Sequence, residues 1–320
     1  MSIVKLTPSY KDYLWGGNKL TESYNKESDL KILAESWEVS SHPDGPSIVA
    51  NGPLKGKTLV EYVETKGQDI LGEKGKVFDF FPILIKFIDA KQDLSIQVHP
   101  NDEYGLKNEG QYGKTEMWYI LEAEEGASLY YGTNKEISKE EYKNAIENNT
   151  ILEVLNKVPV KKGDVVFVEA GTIHAIGEGI VICEIQQNSN ITYRVYDFDR
   201  KDVNGNTREL HIDKAVEVSN LLPLDTSFKA QGAKKEFTNY SETLLVEHRL
   251  FKTELLELNG AMTMDVDNQS FNALICIEGS MTVKHDNNSI ELKKGESAFI
   301  DANTKDIEIE GNTNFLRVSV

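Results

Sequence analysis

Basic residues are in short supply. Thirty-five Lys and Arg stand against 52 Asp and Glu in 320 residues, a formal charge of -17 at pH 7. That field repels phosphate backbones, which argues against nucleic acid as a partner. A pocket for an anionic small molecule is not excluded, because it needs only a few local cations. Cysteine is scarcer still. The two present, Cys183 and Cys276, lie far apart inside apolar runs. This usage points to buried thiols in a cytoplasmic protein rather than to a disulfide framework. The most apolar stretch, FDFFPILIKFIDA, is interrupted by Pro82 and Lys86 and is too short and too charged to span a bilayer. The opening MSIVKLTPSYKDYLWGG has no apolar core of the kind a secretory leader needs. Low-complexity tracts and coiled-coil heptads are also lacking. What remains is 39% hydrophobic and 27% charged, a mixture that can bury a large core and stay dissolved.

Most of the chain reads as short strands. Runs such as ILIKFID, LSIQVHP, EMWYILEA, ASLYYGT, DVVFVEA and GIVICEIQQ are rich in β-branched and aromatic residues, with Gly or Asn between them. The last eighty or so residues hold more such runs, namely LVEHRLFKTELLEL, FNALICIEG, SMTVKHD, SIELKKG, SAFIDA and NFLRVSV. Helical spacing is found after Thr58 (LVEYVETKGQDIL), from Ser138 to Lys157, and in HIDKAVEVSNLL. At Ser138, SKEE offers an N-cap with a carboxylate three residues on. The expected fold is mainly β, built of jelly-roll barrels with a few inserted helices.

An internal repeat divides the chain. KKGDVVFVEAGTIH from Lys161 matches KKGESAFIDANTKD from Lys293 in its KKG, in Asp164 with Glu296, Phe167 with Phe299, Glu169 with Asp301, Ala170 with Ala302 and Thr172 with Thr304. Two tandem barrels follow as the simplest reading. Residues 1–235 are expected to form the functional unit, and 236–320 a degenerate copy. The segment between Asn220 and Asn239 is the expected linker. Where the first copy has His174 the second has Asp306, so any site belongs to the first.

Candidate chemistry begins with LSIQVHP. On a strand Ser95, Gln97 and His99 share one face, while Leu94, Ile96 and Val98 take the other. Such a polar row is either a solvated edge or the lining of a barrel interior, where it needs partners. In KTEMWYILEA, Lys114, Glu116 and Trp118 share a face. His174 stands just past a Gly turn. Together Gln97, His99, Glu116 and His174 offer nitrogen and oxygen donors without thiolate, a set that suits Zn²⁺, Fe²⁺ or Mn²⁺. Lys86, within the apolar ILIKFID, is either aimed into a pocket or snorkelling to a rim. His42, His211, His248 and His285 read as structural. Trp15, Trp37 and Trp118 read first as aromatic core.

Gly163, Gly171 and His174 meet the spacing of a cupin motif, with Glu169 where many cupins have Pro. More specifically, the chain resembles the type I mannose-6-phosphate isomerases in their short Gram-positive form. The matching segments are YLWGGNKL, ESWEVSSHPDGPS, PILIKFIDAKQDLSIQVHPND, KTEMWYIL, AGTIHAIGEG and EIQQNSNITYRVYDFDR. The resemblance implies a tandem cupin fold and a zinc-dependent isomerase. That enzyme interconverts mannose 6-phosphate and fructose 6-phosphate, with one Zn²⁺ per chain. It assigns the metal to Gln97, His99, Glu116 and His174, a catalytic role to Arg194, and phosphate or sugar contacts to Lys86, Ser95 and Lys114, with Glu184 in the pocket. A phosphorylated hexose is then the expected partner of a cytoplasmic chain, monomeric or weakly self-associating.

The residue types suit the reaction. Carbonyl transfer from C1 to C2 passes through an enediolate. A metal and a guanidinium, which stays protonated at working pH, can both stabilise that charge. Thr192, Arg194 and Tyr196 alternate with Tyr193, Val195 and Asp197, so Arg194 is presented on one face. The base is open between Glu184, Lys114 and a water activated by the metal, and Glu184 is also a candidate ion-pair partner of Arg194. A cupin acting on another sugar, a non-haem iron oxygenase and a non-catalytic sugar-binding module are the alternatives.

Overall fold

The structure is a computed structural model, and it describes residues 2–202 and 204–320. Three antiparallel sheets stack in the order five, six and nine strands among these residues. The six-stranded sheet is the middle layer. Its strands run Val165–Val168, Glu116–Ala123, Ile180–Gln187, Ile83–Ala90, Glu35–Val39 and Ser9–Lys11. Both faces are covered, which is why ILIKFIDA and IVICEIQQ are buried at every position rather than at alternate ones.

On one face this sheet meets the five-stranded sheet: Tyr193–Tyr196, Ile96–Val98, His174–Ile176, Ser128–Thr133 and Leu155–Pro159. Ile88, Trp118, Ile182 and Val166 pack there against Leu129, Tyr131 and Ile176. On the other face Phe87, Ile85, Met117 and Cys183 pack against Phe299 and Leu316 of the nine-stranded sheet and against Phe271 just before one of its strands. Cys183 and Cys276 are both buried and unbridged, as expected.

The nine-stranded sheet encloses its own core of Leu256, Met262, Leu274, Ala298, Ile300 and Phe315. It also takes in Ile3–Thr7 and Ile48–Val49 from the start of the chain, Ile3 pairing with Ile300. Strands from both sides of position 235 thus share one sheet. The repeat is visible in three dimensions. The Gly163 N–H donates to the Ile120 carbonyl, and the Gly295 N–H to that of Cys276. Asp164 and Glu296 each accept from the backbone N–H at the head of their KKG turn, Lys161 and Lys293 respectively.

Both helix starts read from the sequence are closed by reciprocal capping. Thr58 pairs with Glu61 and Ser138 with Glu141. The second helix is shorter than the spacing suggests. It stops at Glu147, because Asn148 and Asn149 end it and Asn149 takes a positive φ of 57°. The rest is a short 3₁₀ turn and the edge strand Leu155–Pro159, whose Leu155 and Val158 join separate apolar clusters. FNALICIEG and SMTVKHD, read as two strands, are one strand, Asn272–His285, which runs through Gly279 and shifts register between Cys276 and Glu278. HIDKAVEVSNLL gives the helix Ile212–Val218, with His211 at its N-cap position but no side-chain cap bond. No helix of the described residues is long and apolar enough to cross a membrane.

Candidate metal centre and substrate cavity

The cavity lies between the five- and six-stranded sheets, and a row of paired residues from each sheet supplies part of its lining. Across the six-stranded sheet the register sets Trp37 opposite Lys86, Lys86 opposite Glu184 and Glu184 opposite Trp118. Across the facing sheet it sets Arg194 opposite Gln97, Gln97 opposite His174 and His174 opposite Tyr131. A cavity of about 270 Å³ opens between them, lined by Lys86, Ser95, Gln97, Lys114, Glu184 and Arg194 together with Tyr13, Trp15, Glu35, Leu94, Asn190, Thr192 and Arg208.

Residues from segments far apart in sequence therefore meet. His99, Glu116 and His174 are fully buried, and their ligating atoms lie within 4.8 Å of one another. Glu116 Oε1 is 3.2 Å from His174 Nε2 and 3.7 Å from His99 Nε2. Each imidazole donates through Nδ1 to a backbone carbonyl, His99 to Ile191 at 2.7 Å and His174 to Thr172 at 2.9 Å. That fixes the tautomer and leaves both Nε2 lone pairs facing the carboxylate. Burial, with Lys114 beside it, holds His99 well below the usual imidazole range, and burial takes His174 down to about 4. Both rings are therefore neutral, as a metal requires. Among the described residues, Glu116 Oε1 and His174 Nε2 have no hydrogen-bond partner. Tetrahedral donors about 2.1 Å from an ion stand roughly 3.4 Å apart, so two imidazoles and a carboxylate at these separations fit a divalent cation. Gln97 lies beside His174 in the sheet and lines the same cavity.

The floor is densely charged. Lys114 Nζ is 2.9 Å from Glu116 Oε2 and 3.9 Å from Glu184 Oε1. Lys86 Nζ lies 3.4 Å from Glu184 and 3.6 Å from Glu35, over the Trp37 ring. Lys86 thus projects into the cavity and does not snorkel. Burial alone would disfavour its ammonium, but Glu35, Glu184 and Glu116 outweigh burial and hold it charged. Burial likewise pushes Glu184 up, and Lys114 and Lys86 overcome it and keep this carboxylate low, at about 2. Trp118 donates its indole N–H to Glu184 at 3.0 Å. Burial outweighs the neighbouring Lys114 and, with Glu184 beside it, pushes the Glu116 carboxyl up to about 8, so a cation among His99, Glu116 and His174 would relieve the cost of its buried charge.

At the mouth positive charge is in excess. Arg194 donates to Ser95 Oγ at 3.3 Å and to the Glu209 carbonyl at 2.9 Å, with no carboxylate partner among the described residues. Arg200 and Arg208 share the single carboxylate of Asp197. Glu184 is thus a partner of lysines and a tryptophan, and not of Arg194.

Of the residues read from the sequence, Ser95, Gln97, Lys86, Lys114, Glu184 and Arg194 line the cavity, and His99, Glu116 and His174 are buried behind it, next to Lys114 and Gln97. One face assignment is corrected. Leu94 lines the cavity with Ser95 and Gln97, because the regular strand begins only at Ile96, and only Ile96 and Val98 point to the opposite core. Trp15 is at once buried and a cavity wall, whereas Trp37 and Trp118 are wholly core. Glu35, Asn190 and Arg208 join the site without having stood out in the sequence. A signal for Arg208 is present there: three of the chain's five arginines fall between positions 194 and 208.

The family model for the catalytic domain of type I phosphomannose isomerase matches residues 3–136, and that for the mannose-6-phosphate isomerase cupin domain matches 241–320. A mannose-6-phosphate isomerase of Streptococcus mutans is 40% identical over 251 residues, 78% of this chain and 77% of the relative. The crystal structure of the mannose 6-phosphate isomerase from Bacillus subtilis superposes over all of both chains, at 37% identity and a TM-score of 0.92. A zinc-bound mannose 6-phosphate isomerase structure shares the fold at 22% identity, with a TM-score of 0.78 over 99% of both chains. With its cupin architecture and its buried His–Glu–His group, the chain belongs to the type I mannose-6-phosphate isomerase family.

Proposed function

We propose that this chain interconverts mannose 6-phosphate and fructose 6-phosphate in the cavity between the two sheets. The observation that carries the reading is the row Arg194–Gln97–His174. It sets an arginine without a carboxylate partner on the same wall as the metal-binding group. His99, Glu116 and His174, with Gln97 as fourth ligand, would hold one divalent ion. Neutral imidazoles with oxygen donors and no thiolate favour Zn²⁺, as does the zinc-bound structural relative. When bound, such an ion supplies Lewis-acid stabilisation of charge on a sugar oxygen.

The chain's own groups do the rest. Arg194, on the same wall, stabilises the developing charge of the enediolate. Glu184 and Lys114 are the proton-moving groups nearest the floor. The excess positive charge of Arg194, Arg200 and Arg208 over Asp197 draws in the phosphate dianion. Lys86 and Ser95 contact the sugar phosphate once it is seated. Residues 1–235 hold this site and 236–320 carry none. A cytoplasmic chain, monomeric or weakly associated, completes the reading, in keeping with two unbridged cysteines and the charge of -17.

A coupled assay for fructose 6-phosphate formed from mannose 6-phosphate tests this, on as-purified, chelator-stripped and zinc-restored protein. Activity lost on stripping and regained with zinc is the expected result. No activity in any of the three folded preparations overturns the substrate assignment.

A further inference from the structure

The strand Glu35–Val39 forms one wall of the cavity and also touches the nine-stranded sheet. Its pairing with Ile83–Ala90 sets Trp37 opposite Lys86 and Val39 opposite Ile85, so Glu38 is an extra residue in a β-bulge beside Lys86. Bulges bend a strand and re-aim its side chains. On the cavity side Glu35 Oε2 accepts the Trp37 indole N–H at 2.7 Å and lies 3.6 Å from Lys86 Nζ, which sits over the Trp37 ring.

The bulged residue points away from the cavity into a fully buried polar knot. Glu38 Oε1 accepts from Lys26 Nζ at 2.6 Å and from Ser36 Oγ at 2.5 Å. Ser297 Oγ lies 3.3 Å from Glu38 Oε2 and 3.2 Å from the Glu38 carbonyl. Lys26 also donates to the Gly295 carbonyl. Ser297 and Gly295 belong to the second copy of the repeat. In the first copy the same positions are Val165 and an exposed Gly163, so this polar tie exists only in the copy that has no His174.

A buried ion pair is expensive to desolvate, and apolar packing would fill the same space at less cost. Its location explains it. A slip of one residue in this strand would turn Trp37 and Glu35 away from Lys86. We infer that the Lys26–Glu38–Ser297 knot locks the bulge, so that the C-terminal sheet sets the position of Lys86 in the cavity and these three are positioning residues for the reaction. The link to turnover rests on the isomerase reading above. The link to geometry does not.

The test uses Ser297→Ala, which removes both hydroxyl contacts without stranding a charge, and Glu38→Asp, which keeps the charge but shortens its reach. Two readouts are needed: KM for mannose 6-phosphate, and the Trp37 indole N–H resonance in a ¹H–¹⁵N spectrum, with Trp15 as internal control. In both variants the Trp37 resonance should move or broaden while Trp15 stays. KM should rise on the order of tenfold at unchanged metal content. Should Glu38→Asp fail to fold, Ser297→Ala decides alone. A lowered melting temperature with Trp37 unmoved overturns the inference, and so does a shifted Trp37 with KM unchanged. If the wild type lacks isomerase activity, the function reading fails on its own, and an unmoved Trp37 still overturns the lock.

Discussion

Lys114 Nζ lies 2.9 Å from Glu116 Oε2, which joins a cavity lysine to the carboxylate of the candidate metal-binding group two residues along the chain. The ammonium is also 3.3 Å from His99 Nε2. It can therefore act on a substrate held there without itself being a ligand. Lys114→Ala should retain bound metal, because the three donor side chains are untouched, and lose at least about a hundredfold in turnover, the usual scale of a displaced proton-transfer group. Elemental analysis beside the coupled assay reads both. Loss of metal together with activity would instead make Lys114 part of the metal site's support.

Metal should stabilise the fold through the same residues. An ion that binds only the folded state at about 100 times its dissociation constant adds roughly 2.7 kcal/mol. Zinc should therefore raise the melting temperature of the chelator-treated wild type. His174→Ala removes a buried donor and should largely abolish that rise. An equal shift in both proteins would place the bound ion elsewhere.

Asp197 predicts a pH dependence. Burial pushes its carboxyl up, but Arg208 and Arg200 outweigh burial and hold it below the ordinary aspartate value. A carboxylate depressed in the folded state contributes stability above the unfolded pKa of about 3.9 and loses it as pH falls through the folded one. Asp197→Asn should thus be less stable than wild type at neutral pH, with the gap closing below about pH 4. Melts between pH 7 and pH 3 check this. A gap that widens on acidification would contradict the assignment.

The two repeat turns give a matched pair. Gly163 and Gly295 have φ of 91° and 90°, so alanine is strained at either by about 1–2 kcal/mol. Around Gly163 nothing lies within 4 Å of an added Cβ, but at Gly295 it would meet the Tyr24 carbonyl oxygen at 2.0 Å. Gly163→Ala should cost about 1 kcal/mol and Gly295→Ala clearly more, as read from denaturant midpoints. Equal losses would mean that the C-terminal turn is not pressed against the N-terminal segment.

Much of the site is legible in the residues themselves. Two-residue periodicity puts Gln97 with Ser95 and Arg194 with Thr192, and the repeat shows which copy keeps its histidine. It misplaces Leu94, because periodicity holds only where the strand is regular, and that strand starts two residues later. The long helix read from Ser138 is cut short by an Asn–Asn pair whose φ is set locally. Glu35 gives no sign of its role, since a Glu before a tryptophan on a strand is unremarkable until a buried lysine from another strand lies beside it.

Composition and pattern by themselves determined that this is an acidic, β-rich, twice-repeated chain with buried thiols and with imidazoles and carboxylates in reach of metal chemistry. Those properties are local, because burial and periodicity are written residue by residue. Only the tertiary structure decided the register that lines up Trp37, Lys86, Glu184 and Trp118 across one sheet and Arg194, Gln97 and His174 across the other. It alone also decided the crossing of the N-terminal strand into the C-terminal sheet and the lock at Glu38. Contacts between residues 259 positions apart, such as Glu38 with Ser297, depend on how whole sheets stack, and no local pattern encodes that.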